Sequence, residues 1–228
     1  MWRCAVVALI AVLCAAQDDA RAWIDRGTQA FKKAQYADAV RDFQKALDLA
    51  PDSRDARMYL AVAYVVQYVP GARTDENQQL AAKAEENFRR VLDQDPQNKT
   101  AIRYLASLTF QEASALVLPR EKFDKLHQAR AWYEKLASMD PHEKEAFYSL
   151  GVIDWLEAYP QWTEARAQSA MSPQDPGPLT KDNVRWEARA KLGPLYEDGI
   201  RQLTEALRID PNYDDAMAYM HLIIREQA

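Results

Sequence analysis

The sequence predicts an all-α fold, a stack of antiparallel helical hairpins, from three linked observations. One phrase ends on a proline four times, at Pro51, Pro96, Pro141 and Pro211. Ahead of each proline stand a tiny residue and then a large apolar one: Ala39 and Phe43, Ala84 and Phe88, Ala129 and Tyr133, Gly199 and Leu203. Behind each stand an alanine and then a bulkier apolar residue: Ala56 and Leu60, Ala101 and Leu105, Ala146 and Leu150, Ala216 and Met220. A helix–proline–helix phrase repeated along a chain makes each copy one hairpin, which buries its apolar face only against its neighbours. Such stacks present surfaces to other molecules, so the repeat predicts a scaffold and leaves open what is held.

The first sixteen residues read as a leader. Met1 to Arg3 form a basic start, Cys4 to Ala15 are almost wholly apolar, and Cys14-Ala15-Ala16 offers small residues for cleavage before Gln17. The apolar run is short of the ~20 residues a membrane span needs. Lipidation at Cys14 is not expected, because bulky Leu13 precedes it. Export, to a periplasm or outside the cell, follows. Both cysteines, Cys4 and Cys14, fall in the leader, so residues 17–228 carry no disulfide, thiol nucleophile or cysteine-ligated zinc. Stability then rests on packing alone.

The first hairpin is the most regular. Trp23, Gly27, Phe31, Tyr36, Ala39, Phe43, Ala46, Leu47 and Pro51 occupy one frame. Gly27 and Ala39 let two backbones approach, and Trp23 and Phe43 fill the layer around that contact. Pro51 cannot continue a helix, and Asp52 or Ser53 can cap the next one. These residues resemble the tetratricopeptide repeat. The resemblance covers residues 20–53, extends through 54–156 and 194–225, and is absent over about 157–193. It implies a right-handed α–α superhelix, a tetratricopeptide-type solenoid over residues 17–228.

The second and third hairpins depart from the family's period, each carrying eleven extra residues. Pro70-Gly71 marks a turn in the second and Leu118-Pro119 a break in the third. The flanking helices, such as Arg54 to Gln67 and Gln78 to Leu92, are expected to be longer than the family norm. In the fourth hairpin the first helix, Glu145 to Glu157, is separated from the second, Tyr196 to Ile209, by an insertion at about 157–193. Two further helices are expected there, Tyr159 to Met171 and Lys181 to Leu192, flanking a Pro-rich loop from Ser172 to Leu179. Trp162 or Trp186 should anchor them. Beyond Pro211, residues 214–225 match a first helix with no second helix to cover it. Either it caps the fourth hairpin or the chain continues in a longer protein. Met217 and Met220 are the expected inward pair. Leu222, Ile223 and Ile224 cannot all be buried, which predicts self-association through this helix.

Composition narrows the function. The 29 Lys+Arg against 34 Asp+Glu give a net charge of −5, and the leader holds only one of the bases, Arg3. This excludes nucleic acid and anionic membrane as main partners. No stretch of residues 17–228 is long and apolar enough to span a bilayer. His127, His142 and His221 show no metal-ligand spacing. With six glycines in the chain, no phosphate-binding loop appears. The carboxylates fall where caps and solvated faces explain them. No catalytic, metal or cofactor constellation is expected, and the chain reads as non-catalytic.

The resemblance implies that first helices line a concave groove, and it places Phe31, Met58, Val62, Arg103, Phe110, Tyr148 and Trp155 there. The lysine–asparagine clamp of chaperone-binding members is absent: Ile24, Met58, Arg103 and Tyr148 stand at one of its positions and Thr28, Val62, Ser107 and Val152 at another. The leading expectation is an extracytoplasmic adaptor that binds a protein or peptide in this groove. The alternative is a small-molecule or glycan binder with the aromatic insertion as a lid. In the insertion, Trp162 and Trp186 are candidate anchors or contacts, and Arg185 and Arg189, one helical turn apart, are either a basic patch or a solvated face.

Overall fold

The computed structural model describes residues 2–175 and 177–227, with side chains from residue 17 onward. The expected leader, residues 1–16 with Cys4 and Cys14, lies outside the residues whose side chains are described. Nine helices and no strand occur among the described residues. They are α1 (Trp2–Lys32), α2 (Tyr36–Leu49), α3 (Arg54–Val65), α4 (Asp75–Gln94), α5 (Lys99–Ala115), α6 (Pro119–Met139), α7 (Lys144–Gln168), α8 (Asp182–Ile209) and α9 (Asp214–Gln227). Two compact units divide the chain, Met1–Leu116 and Val117–Ala228.

In the first unit α1 pairs with α2 and α3 with α4, while α2 packs on α3 and α4 on α5. The small-residue contact works by exclusion. A Cβ built on Gly27 would stand 2.6 Å from Phe43, so α1 lies against the α2 ring at a distance only glycine permits. Phe43 then stacks on Tyr59 of α3, and Phe88 of α4 on Tyr104 of α5, at 5.6 and 5.1 Å. Phe43 and Phe88 are fully buried, as are Ala39, Ala56, Ala84 and Ala101. The small and large residues that precede and follow each proline of this unit therefore sit in the core that the repeat requires.

Helix ends follow the same economy. Ser53, Thr74 and Asn98 each accept the backbone N–H three residues on, satisfying one orphan donor at the starts of α3, α4 and α5. Residues 66–74, which contain the turn at Gly71 (φ +84°), are held by Asn77. Its side chain donates to Val69 and Ala72 carbonyls and accepts from the Val69 N–H. Arg54, just past Pro51, pairs with Asp95, just before Pro96, at 3.2 Å. In the second unit Lys144 and Asp210 repeat that arrangement at 2.6 Å.

In the second unit α7 packs between α6 and α8, and α9 packs on α8 and α7. Gly151 meets Leu203 as Gly27 meets Phe43, with 2.6 Å from a built Cβ to the leucine Cγ. The insertion differs from expectation. No separate helices form: α7 runs on through Pro160 to Gln168, and α8 begins at Asp182 and runs through Pro194. A proline inside a helix loses one hydrogen bond and costs ~3 kcal/mol. Apolar residues on both sides of each proline offset this. Ala158, Trp162, Leu192 and Tyr196 are buried in one cluster that ties the extended arms together. The insertion is thus a lengthened hairpin. Residues 169–181 close it, and Arg166 holds them by donating to the carbonyls of Ser172, Asp175 and Gly177.

Two further expectations need correction. Trp162 is the anchor of this hairpin, whereas Trp186 is 70 % exposed, because it faces away from α7 on the solvent side of α8. On α9 the inward residues are Ala216 and Ile223, one heptad apart and fully buried, while Met217 is exposed and Met220 half-buried. Ile223 enters the gap left by Gly199, where a Cβ would stand 2.8 Å from its Cδ1. A flexible methionine could not use so narrow a slot. Leu222 is half-buried and Ile224 exposed, so the three successive apolar residues divide around the helix as their spacing requires.

Candidate functional site

The richest surface belongs to the second unit and grows out of helical periodicity. Tyr148, Trp155, Tyr159 and Trp162 recur on α7 at spacings of seven, four and three, which places them along one face. Tyr213, just before α9, and Tyr219 within it add two rings. Together they make a continuous ladder. Tyr148 lies 5.0 Å from Tyr213 and 5.8 Å from Tyr219, and Tyr219 meets Trp155 at 5.4 Å. Trp155 continues to Tyr159 at 4.8 Å and Tyr159 to Trp162 at 6.0 Å. Trp162 is buried and the other five rings are partly exposed.

Polar groups fix the ladder at Tyr213 and at Trp155. Lys144 lies 4.6 Å over the Tyr213 ring while pairing with Asp210. The Trp155 indole N–H donates to Glu226 Oε1 at 3.1 Å. Burial, with neighbouring tyrosines and Asp215 adding to it, holds the Tyr148 hydroxyl far above the ordinary tyrosine range, and the Tyr213 hydroxyl is pushed up to about 12 by burial and nearby acids. These hydroxyls therefore stay neutral and act as hydrogen-bond donors and acceptors.

Beyond Trp162 the surface opens into a pocket of about 700 Å³. Trp162, Leu179, Ala188 and Leu192 contribute apolar wall, and Arg166, Arg185, Arg189 and Arg225 contribute charge. Arg166 lies 4.9 Å over the Trp162 ring and is only 4 % exposed. Glu226 and Tyr196 line the pocket too. Burial, together with the adjacent Glu226 carboxylate, holds the Tyr196 hydroxyl far above the ordinary tyrosine range.

A second polar cluster lies where α6, α7 and α8 meet. Arg130 Nη2 bonds Asp154 Oδ1 at 2.6 Å and Glu157 Oε2 at 3.3 Å, and His127 approaches Glu157 at 3.5 Å. Burial raises the Asp154 carboxyl to about 6 against the opposing pull of Arg130. One guanidinium thus serves two buried carboxylates. Among the described residues no group of His, Cys, Asp and Glu has the grouping a metal ion needs.

Of the residues predicted for the groove, Tyr148 and Trp155 meet in the ladder through Tyr219. In the first unit Phe31 is half-buried edge-on to Tyr36 at 5.3 Å, and Met58 and Val62 are half-buried on α3. Arg103 is exposed and Phe110 half-buried on α5. Of the insertion residues, Trp162, Arg185 and Arg189 line the pocket and Trp186 does not. Sequence reasoning missed Tyr213, Tyr219, Arg166, Arg225 and Glu226. Tyr219 carried a usable signal: it falls three residues before Leu222 on a helix that repeats the first-helix pattern.

Residues 20–53 match the family profile described as tetratricopeptide repeat. Those residues therefore carry a tetratricopeptide repeat. Solved structures extend that likeness well past residue 53. MamA of AMB-1 is 18% identical, with 90% of this chain and 80% of that one covered and a TM-score of 0.54. A protein of Bacteroides ovatus ATCC 8483 is 17% identical, covering 91% of this chain and 97% of that one, with a TM-score of 0.52. At these identities the likeness is one of fold. No curated protein matches the chain. Among the described residues no helix is long and apolar enough to cross a membrane.

Proposed function

We propose that this protein is an exported, non-catalytic scaffold that binds a protein or peptide partner along the aromatic ladder of α7 and α9. Tetratricopeptide-repeat proteins are in general protein-interaction scaffolds. The observation that carries the reading is the ladder itself: five partly exposed rings in unbroken contact, on the first helices of two successive hairpins. A core of this size does not need so many half-exposed rings, whereas binding hot spots are enriched in them. The neutral tyrosine hydroxyls supply hydrogen bonds to a peptide backbone. Capture from the native envelope fraction tests it, with partners cross-linked and the cross-links mapped. Wild type should cross-link through α7 and α9, and Tyr219→Ala should lose the same partner while melting normally. Retention of the partner by Tyr219→Ala, or cross-links confined to the first unit, would refute it.

Export is part of the proposal and rests on the leader pattern. The protein recovered from its native cell should begin at Gln17. Self-association belongs here as well. Met217 and Ile224 lie seven residues apart on α9 and are 43% and 52% exposed, so they share one uncovered stripe. Sedimentation should show wild type associating at high concentration and Met217→Lys with Ile224→Lys remaining monomeric. A monomeric wild type would remove this element.

A further inference from the structure

The pocket beyond Trp162 carries a charge opposite to that of the protein. The whole chain has a net charge of −5. Yet the pocket is lined by four arginines and only two carboxylates, Glu197 and Glu226. One of those carboxylates is muted. Burial raises the Glu226 carboxyl, and the Trp155 N–H already occupies one of its oxygens.

Arg185 pairs with Asp182 and Arg225 lies 3.7 Å from Glu226 Oε1, which leaves Arg166 and Arg189 as the under-neutralised pair. Arg166 is nearly fully buried and donates to three backbone carbonyls, which satisfy its N–H groups without cancelling its charge. Among the described residues it forms no ion pair. Asp175 feels its field, but the Asp175 carboxylate is bonded to the Ser172 N–H. Arg189, one turn along α8 from Arg185, makes no ion pair among the described residues either. A buried cation without a counter-ion is costly, and an anion entering the pocket would relieve that cost. The opposite wall is apolar: Trp162, Leu179, Ala188, Leu192 and Ile224. The volume lies within the ~300–1,000 Å³ usual for small-ligand sites.

We propose that this pocket binds a small organic anion, a carboxylate carried on an apolar body, with the carboxylate on Arg189 in the field of the buried Arg166 and the body against Trp162 and Leu192. The planar guanidinium fork suits a carboxylate, and Arg189 is exposed and forms no ion pair among the described residues, so it is not needed to hold the fold. The Tyr196 hydroxyl lines the same space but is already engaged by Glu226. This site adjoins the ladder at Trp162, which belongs to both, and it stands whether or not a peptide binds along the exposed rings.

The test uses residues 17–228 with octanoate as probe, followed by calorimetry. Saturable binding is expected for octanoate, with octanamide at least about tenfold weaker, the worth of one charge-assisted contact. Arg189→Gln should weaken octanoate by about tenfold or more and leave the melting curve unchanged, while Tyr219→Ala should bind octanoate normally. No saturable octanoate binding, equal binding of octanamide, or unaffected binding by Arg189→Gln would overturn the proposal. Inorganic phosphate binding as tightly as octanoate would overturn the part of it that assigns an apolar body. Partner loss by Tyr219→Ala with octanoate binding intact separates this site from the scaffold surface.

Discussion

Asp154 should make this protein less stable as pH rises through the weakly acidic range, and the size of the effect can be worked from its surroundings. The side chain is 1% exposed on α7, with Arg130 on one oxygen and nothing on the other. Burial raises its carboxyl from 3.8 to about 6. A carboxyl whose folded pKa is raised holds its proton more tightly when folded than when unfolded. Below about pH 4 both states are protonated and there is no penalty. Between about 4 and 6 the folded state binds more protons, so stability falls as pH increases. Above about 6 the loss is complete, roughly two pKa units or ~3 kcal/mol. Urea unfolding at pH 4, 5, 6 and 7 measures it, and Asp154→Asn isolates it. Asparagine keeps the shape and abolishes the titration, and Arg130 retains Glu157. The stability of the variant relative to wild type should therefore rise by ~3 kcal/mol between pH 4 and pH 7, whatever its sign at either end. Titrations elsewhere cancel in that difference. Parallel curves for variant and wild type would show that Arg130 offsets burial completely and that the reasoning fails.

Truncation of Phe88, fully buried and stacked on Tyr104, should cost ~3–5 kcal/mol, read as a lower urea midpoint, with the loss shared by α3, α4 and α5 in hydrogen exchange. Gly199→Ala should displace Ile223 and loosen α9, seen as faster exchange from Asp214 to Gln227 while α1 to α4 are unaffected. Arg166→Gln should free residues 169–181, raising their exchange and their cleavage by protease, with the far ends of α7 and α8 still protected by Trp162 and Leu192.

The parts of this fold that the sequence made legible are those where one residue type meets one geometric need. The four prolines mark the gaps between hairpins because a proline at that point cannot extend a helix. The Phe43 positions were readable because a repeated large residue opposite a repeated small one has one sensible partner. The lengthened fourth hairpin was misread for the complementary reason. Pro160 and Pro194 carry the same local signal as Pro51, and only the tertiary cluster of Ala158, Trp162, Leu192 and Tyr196 decides that the helices run on. Local chemistry sets the cost of the break; packing sets whether it is paid.

The candidate site divides along the same line. Tyr148 and Trp155 could be placed because first-helix positions recur with the repeat. Tyr213 and Tyr219 complete their ladder from the next hairpin, and α9 had been read for its aliphatic residues alone. Arg166 and Glu226 were invisible for a different reason. Each is a charged residue on a helix, where a solvated face is the ordinary outcome, and each is buried only because the far arms of α7 and α8 enclose it together with α9. Burial of that kind depends on how far a hairpin extends beyond its neighbours. The length of α7 and α8 is therefore the link between fold and site. The two prolines that failed to end the helices allow a charged pocket to form at all, and an ordinary hairpin ending near Pro160 would leave Trp162, Arg166, Arg185 and Arg189 without a common wall.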